Sequence, residues 1–332
     1  MERELYEQYR LNGSQFIKYR GYHAFYEKGD LYVIVPIPHL QQEELLEIKQ
    51  MTDYLQFQQE DRMAIFVPTI TQELAGHVNN AKVVLYKVPH TNKRKLFSDG
   101  EELARFHKKG FYYPYPPKTA TRLGLWNIFW EERLDQLEGW WREKIQEVPS
   151  TRFEKQFYES FPYYLGLTEN AIQYVADSMW EDQQNKTKVG TICHSRFRPQ
   201  TDTERLIFPT ELVFDHPSRD LAEWIRSKVV NQGASFDEVN TFLRHYEKIL
   251  PLSFTSWRLL FGRLLFPLQY FETVEGYYSA PSEKIKERYE KRLLKIVEKA
   301  DQYEQFLRSF ISHVRMPTGK LNIPEIEWLH SI

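Results

Sequence analysis

Apolar and polar positions alternate over the first quarter of the chain and recur every three or four residues over most of the rest. In "YHAFYEKGDLYVIVPIP", two β-prone runs flank Lys28-Gly29-Asp30, which predicts a hairpin. In "HLQQEELLEIKQMTDYLQ", Leu45, Leu46, Ile48 and Met51 form a helical stripe. Two more β-branched runs follow, "RMAIFVPTI" and "AKVVLYKVP", joined by "TQELAGHVNN", whose Asn79-Asn80 suits a tight turn. The order hairpin, helix, hairpin over about residues 14 to 90 predicts a small sheet carrying one helix.

"VPHTNKRKLFSDG", residues 88 to 100, is polar and turn-rich and is expected to be a linker. A helix then begins: Ser98 and Glu101 have capping-box spacing, Leu103, Phe106 and His107 share a face, and Gly110 is placed to end it in a left-handed conformation. Beyond it, "LGLWNIFWEERLDQLEGWWREKI" and "LTENAIQYVADSMWEDQQ" repeat at helical spacing. "WRLLFGRLLFPLQYF" is interrupted by Arg258, Arg263 and Pro267 and is too short to cross a bilayer, so it is expected to be a buried helix. One last long helix is expected from about 281 to 314, with Leu293, Tyr303, Leu307 and Phe310 among its inward positions.

Composition narrows the function classes. The 332 residues suffice for two domains or a bilobal unit, and 42% hydrophobic with 15% aromatic content argues against disorder. Lys plus Arg (44) nearly balance Asp plus Glu (46), so no global field recruits nucleic acid or an anionic membrane. A single cysteine, Cys193, builds no internal disulfide, which fits a reducing compartment. The first residues, MERELYEQYR, lack the apolar core of a signal peptide, and secretion is not expected. The ten histidines are dispersed without HExxH or paired-ligand spacing, so no metal site is expected.

The polar middle, residues 185 to 224, is where chemistry is sought. "NKTKVGTICHSRFRPQT" gives a basic loop, a β-prone run ending at Cys193, and a stretch holding His194, Arg196 and Arg198 with no carboxylate. "DTERLIFPTELVFDHPSRDLAEWIR" gives two apolar runs, Asp215, and a helix starting near Ser218 or Asp220, where Asp220 and Glu223 again have capping-box spacing. Arg196, Arg198 and Arg205 suit an anion or a solvated face. The Tyr- and Pro-rich "FYYPYPPKTATR" suits either stacking on nucleic acid or, the favoured reading, a rigid packed loop.

"GEELARFHKKG", "NIFWEERLDQLEGWW", "FPYYLGLTENAIQYV", "ICHSRFRP" and "FDHPSRDLAEWIR", in that order, resemble the YutH/CotS spore-coat family, a branch of the aminoglycoside phosphotransferase and choline-kinase-like superfamily. The resemblance implies an α+β, bilobal protein-kinase-like fold, with a small antiparallel-sheet N-lobe (1-90) and a large helical C-lobe (91-332). It further implies synthesis in the mother-cell cytoplasm, deposition on the spore coat, and other coat proteins as partners, with neither nucleic acid nor membrane insertion.

Active members of that superfamily carry a pattern close to H-G-D-x-H-x-x-x-N. Aligned with it, His194 matches the histidine, Ser195 replaces glycine, Arg196 replaces the catalytic aspartate and Arg198 the second histidine; in the form of the pattern with one residue fewer before the asparagine, Thr201 stands at the metal-binding asparagine. That aspartate accepts the substrate's hydroxyl proton and the asparagine helps hold magnesium; an arginine does neither. A guanidinium about 4 Å from a divalent ion is repelled by several kcal/mol at an effective dielectric near 20. It still suits a small anionic ligand. Asp215 has the spacing of the second metal aspartate, and equally that of a turn residue before Pro217. Val35 or Pro36 falls near the expected lysine of the third strand, Lys49 lies on the following helix, and Glu43, Glu44 and Glu47 offer the helix glutamate. Gly21 and Gly29 make no phosphate cradle. The expectation is a pseudokinase of the spore coat without catalytic, cofactor or metal residues. The alternative is an active phosphotransferase in which Asp202, Glu211 or Asp215 holds the metal.

Overall fold

The computed structural model describes residues 1–90, 98–185, 190–197 and 206–314. The basic 186–189 stretch, most of the expected linker, and Arg198, Thr201, Asp202 and Arg205 lie outside the described residues. The chain forms two compact units, residues 1–121 with 190–215, and residues 122–189 with 216–332.

The first unit is built on a six-stranded sheet: β1 (Ser14–Tyr19), β2 (Tyr22–Glu27), β3 (Asp30–Pro36), β4 (Ile65–Val67), β5 (Ala75–Val78) and β6 (Ala81–Lys87). All pairings are antiparallel in the order β1-β2-β3-β6, and β4 and β5 share the far edge of β6. Its hairpins turn through residues with positive φ: Arg20-Gly21 (48° and 88°), Lys28-Gly29 (52° and 88°) and Asn79-Asn80 (50° and 61°). Two-residue turns of this hand match the strand twist, and Asn and Gly tolerate them best. The run AGHV, expected as part of a connection, is strand β5.

Helix α1 (Glu2–Tyr9) lays Leu5 and Tyr9 on Phe25, Tyr32, Ile34, Val83 and Leu85. The alternate residues Val33, Val35, Val84 and Tyr86 are buried as well, so both sheet faces are covered. Helix α2 (Gln42–Phe57) buries Leu45, Ile48, Met51 and Leu55, whereas Leu46 is 48% exposed. Helix α3 (Asp99–Gly110) is capped by Ser98, whose hydroxyl accepts the Glu101 N–H. It buries Leu103, Phe106 and His107 as the sequence predicts.

Gly110 departs from its expected role. It stays helical, and its missing side chain admits β7 (Thr191–His194): a Cβ there would lie 2.5 Å from the Ile192 nitrogen and from Thr191 Oγ1. Strand β7 pairs antiparallel with β8 (Leu212–Asp215).

The second unit is helical. It contains α4 (Trp126–Lys144), α5 (Arg152–Asn185), α6 (Ser218–Arg226), α7 (Phe236–Glu247), α8 (Phe254–Leu265), α9 (Leu268–Tyr278), α10 (Glu283–Glu298) and α11 (Ala300–His313). The aromatic residues prominent in the composition stack here: Phe153 on Tyr277 at 3.6 Å, Tyr164 on Tyr270 at 3.7 Å, Trp224 on Phe242 at 3.8 Å and Trp130 on Phe266 at 4.4 Å between centroids. Near-parallel pairs add stabilisation beyond the area they bury.

Three sequence expectations need correction. The 281–314 helix is two helices, broken at Lys299 (φ −101°, ψ 6°). The apolar run 257–271 is likewise split, because Pro267 has no N–H to continue α8 and Phe266 turns to extended geometry. Asp220 and Glu223 form no capping box: Pro217 is the N-cap of α6 and Asp220 is buried. The Glu223 carboxylate instead accepts from Arg226 at 3.0 Å and Arg263 at 3.1 Å.

Candidate functional site

Of the sequence-predicted site residues, His194 and Asp215 lie on the β7/β8 ladder, in which Thr191 faces Asp215 and His194 faces Leu212. His194 and Asp215 therefore stand at opposite ends of the ladder, about 10 Å apart along it at the rise of an extended strand. The His194 ring is buried, 4.4 Å from Phe106 and 5.0 Å from Phe197 between centroids, so it packs β7 against α3. Ser195 and Arg196 follow in a bend tied down by the Ser195 N–H, which donates to the Glu211 carbonyl at 2.6 Å. Arg196 is exposed there, and the described stretch His194, Ser195, Arg196, Phe197 contains no carboxylate.

Asp215 is fully buried. The backbone around it is held on both sides: the Cys193 thiol donates to the Asp215 carbonyl at 3.6 Å, and the Phe214 N–H donates to the Ala120 carbonyl at 2.9 Å. The Thr121 hydroxyl adds a bond to the Phe214 carbonyl at 3.1 Å. Leu206 to Phe208 run alongside Arg62 to Ala64, with reciprocal backbone bonds of 2.9 Å between Ile207 and that segment. The Tyr86 hydroxyl accepts the Thr210 N–H at 3.2 Å, and its own proton is held more tightly because the group is buried.

Of the helix glutamates, Glu47 is the one whose setting stands out. Its carboxylate accepts the backbone N–H groups of Lys118 (2.7 Å), Thr119 (2.8 Å) and Ala120 (2.8 Å), and the Thr119 hydroxyl (2.6 Å). Burial alone raises its pKa, but the Thr119 hydroxyl and the three N–H groups outweigh that and hold it below the usual carboxylate range. Three successive N–H groups aimed at one anion form a nest. Glu47 thus spends its hydrogen bonds on the Lys118–Ala120 main chain and the Thr119 hydroxyl, where an active kinase pairs its helix glutamate with a strand lysine. Strand β3 carries Val35 and Pro36 and no lysine. Lys49 bonds Asp53 of its own helix at 2.6 Å, and Glu43 is exposed.

A second polar cluster went unrecognised in the sequence. Arg62 grips Glu60 with two nitrogens (2.6 and 3.0 Å) and Glu102 with a third (2.8 Å), while Lys109 reaches Glu60 at 3.0 Å. Glu60 is buried, which would raise its pKa, yet the bonds and charges of Arg62 and then Lys109 bring it down to about 2. Arg62, Asp99, Glu102, Leu103, Phe106, His194, Phe197 and Ile207 line a small cleft beside it. Glu60 and Arg62 are near neighbours, but Glu102 and Lys109 come from a distant part of the chain, so no local spacing marks the cluster.

In the helical unit, the Ser218 N–H donates to His216 Nδ1 at 3.2 Å, leaving Nε2 to face the Ser256 hydroxyl at 3.5 Å. With Nδ1 accepting, a neutral ring carries its proton on Nε2 and so donates toward Ser256. That orientation makes His216 a structural tie and no base for a serine nucleophile.

The structure is similar to an aminoglycoside phosphotransferase from Alicyclobacillus acidocaldarius, with a TM-score of 0.63 and 14% identity over 91% of this chain and 92% of that one. It is also similar to the spectinomycin phosphotransferase APH(9)-Ia, with a TM-score of 0.60 and 15% identity over 92% and 97%. The protein-kinase-like fold, with a small antiparallel-sheet N-terminal lobe and a mostly helical remainder, is therefore established. In sequence, the chain is 41% identical over 327 residues to the "Endospore coat-associated protein YutH" of Bacillus subtilis (strain 168), covering 97% of this chain and 96% of the relative. Residues 2–310 match the family described as "Spore coat putative kinase YutH". The chain belongs to that YutH spore-coat family.

Proposed function

We propose that this protein is a component of the bacterial endospore coat that keeps a phosphotransferase fold without transferring phosphate. The family membership and the coat association named for the B. subtilis relative support the coat role. In this reading the protein is made in the mother cell and deposited on the spore, its partners are other coat proteins, and a small lobe of residues 1–90 precedes a helical lobe of 91–332. No helix among the described residues is long and apolar enough to cross a membrane, in keeping with that role.

The observation that carries catalytic silence is the charge reversal at Arg196, where active relatives of this fold need an aspartate. A cation in that place neither accepts the acceptor's proton nor tolerates a divalent ion beside it. The enclosure of Asp215, the lysine-free β3 and the diversion of Glu47 to a backbone nest support the same reading. Under it, His194, Arg196, Arg198 and Thr201 are degenerate catalytic-loop positions, and Asp215 is the remnant of a metal ligand. The Arg196 guanidinium remains suited to a small anion.

Thermal-shift titration of the full chain with ATP, with and without magnesium, tests the proposal. The expected result is no magnesium-dependent rise in Tm, with any nucleotide or phosphate effect weakened by Arg196→Ala. A saturable magnesium-dependent rise that Asp215→Ala removes would establish a working metal site and overturn it.

A further inference from the structure

Helix α10 turns most of its surface to solvent, with Leu293 as its buried side chain. Lys284, Arg288, Lys291 and Lys295, at i, i+4, i+7 and i+11, fall within a sector of about 60° at roughly 100° per residue and span about 16 Å; the exposed Glu287 and Glu298 border that sector and leave the face net positive. All four are exposed, and among the described residues none has an ion pair. Their neighbours do: Lys286 meets Glu283 at 2.9 Å and Arg292 meets Glu272 at 3.3 Å. Like charges at this spacing destabilise a helix by about 0.2–0.5 kcal/mol per pair.

The complement lies on α4. Glu131, Glu132 and Asp135 are exposed within a sector of about 100°, and among the described residues they too have no ion pair. The adjoining charges of that helix are engaged, Arg133 with Glu275 at 2.7 Å and Arg142 with Glu138 at 2.6 Å. Ile128, 46% exposed, shares the acidic sector and offers an apolar centre to a contact. Helices α4 and α10 both pack on α5 and α9 within the helical unit, yet no pair forms between the two stripes of one chain.

We propose that α10 of one copy docks on α4 of a second copy, through Lys284, Arg288, Lys291 and Lys295 against Glu131, Glu132 and Asp135. Because the two surfaces differ, the contact is head-to-tail, and each copy presents a free stripe of either sign for the next. Such a contact propagates into a chain of subunits, and it is independent of whether the protein transfers phosphate.

Sedimentation velocity of the full-length protein tests this. Association is expected in about 0.01 M salt, where the Debye length is about 30 Å, and its loss in about 1 M salt, where it is about 3 Å. Two reversed variants, K284E/R288E/K291E/K295E and E131K/E132K/D135K, should each self-associate about tenfold more weakly or less than that. Mixed in equal amounts they should associate again, since each then meets a surface of opposite sign. Circular dichroism checks their helicity, and the neutral set K284Q/R288Q/K291Q/K295Q replaces the first variant if it is not folded. A wild-type protein that stays monomeric in low salt, or an association that the reversals leave unchanged, overturns the proposal.

Discussion

Glu47 and Thr119 are joined twice, the carboxylate accepting both the hydroxyl at 2.6 Å and the backbone N–H at 2.8 Å of the threonine. The consequence reaches β8, because Ala120 and Thr121 beside this nest hydrogen-bond Phe214, the residue before Asp215. Glu47 is thus a positioning residue for β8, the strand that carries Asp215. Glu47→Ala leaves three N–H groups without their anion and is expected to lower stability by about 2 kcal/mol, the scale of hydrogen bonds to a charged group. Urea unfolding checks the loss, and Glu47→Gln, which keeps an acceptor oxygen, should recover part of it.

Two glycines should respond oppositely to alanine. At Gly110 the added methyl would meet the Ile192 nitrogen and Thr191 Oγ1, so α3 or β7 must move. The expected penalty is about 1–3 kcal/mol, that of overpacking. Gly139 sits inside α4, and an added methyl there would meet nothing within 4 Å. Gly139→Ala should therefore raise stability by up to about 1 kcal/mol through helix propensity. Thermal unfolding of both variants checks the contrast in sign.

The Glu60 cluster should show in the acid limb of the stability curve. A carboxyl whose folded pKa is depressed stabilises the fold fully above its unfolded value, and that contribution is lost as pH falls through the folded value. For Glu60 the window runs from 4.5 down to about 2. The stability difference between wild type and Glu60→Gln is therefore expected to be largest at neutral pH and to shrink across that window; denaturant melts at several pH values measure it. Arg62→Ala strips Glu60 of its bidentate partner and should cost about 3–5 kcal/mol, the range for breaking a buried ion pair.

Much of this architecture was legible because it is locally encoded. Asn79-Asn80 and Lys28-Gly29 announce turns that the backbone then takes with positive φ, and Ser98 marks a helix start that its hydroxyl caps. Failures came where tertiary contacts override local signals. Gly110 looks like a helix terminator from its neighbours in sequence, and only the approach of Ile192, distant along the chain, gives its true reason. Glu223 has cap spacing, yet Arg263 from α8 claims it. The apolar stripe runs on through Lys299 although the helix does not, because periodicity records which side is buried and not whether the axis is continuous. In the site, the charge reversal proposed at Arg196 rests on residue identity alone. The backbone partners of Glu47 and the enclosure of Asp215 needed coordinates, since a nest of N–H groups leaves no side-chain signature.

The most direct test of catalytic silence is a turnover assay on the full chain with magnesium and γ-labelled ATP, run beside Asp215→Ala. A silent site predicts no label transferred or released above the level of the variant. Sustained turnover by the wild-type protein that Asp215→Ala abolishes would contradict it.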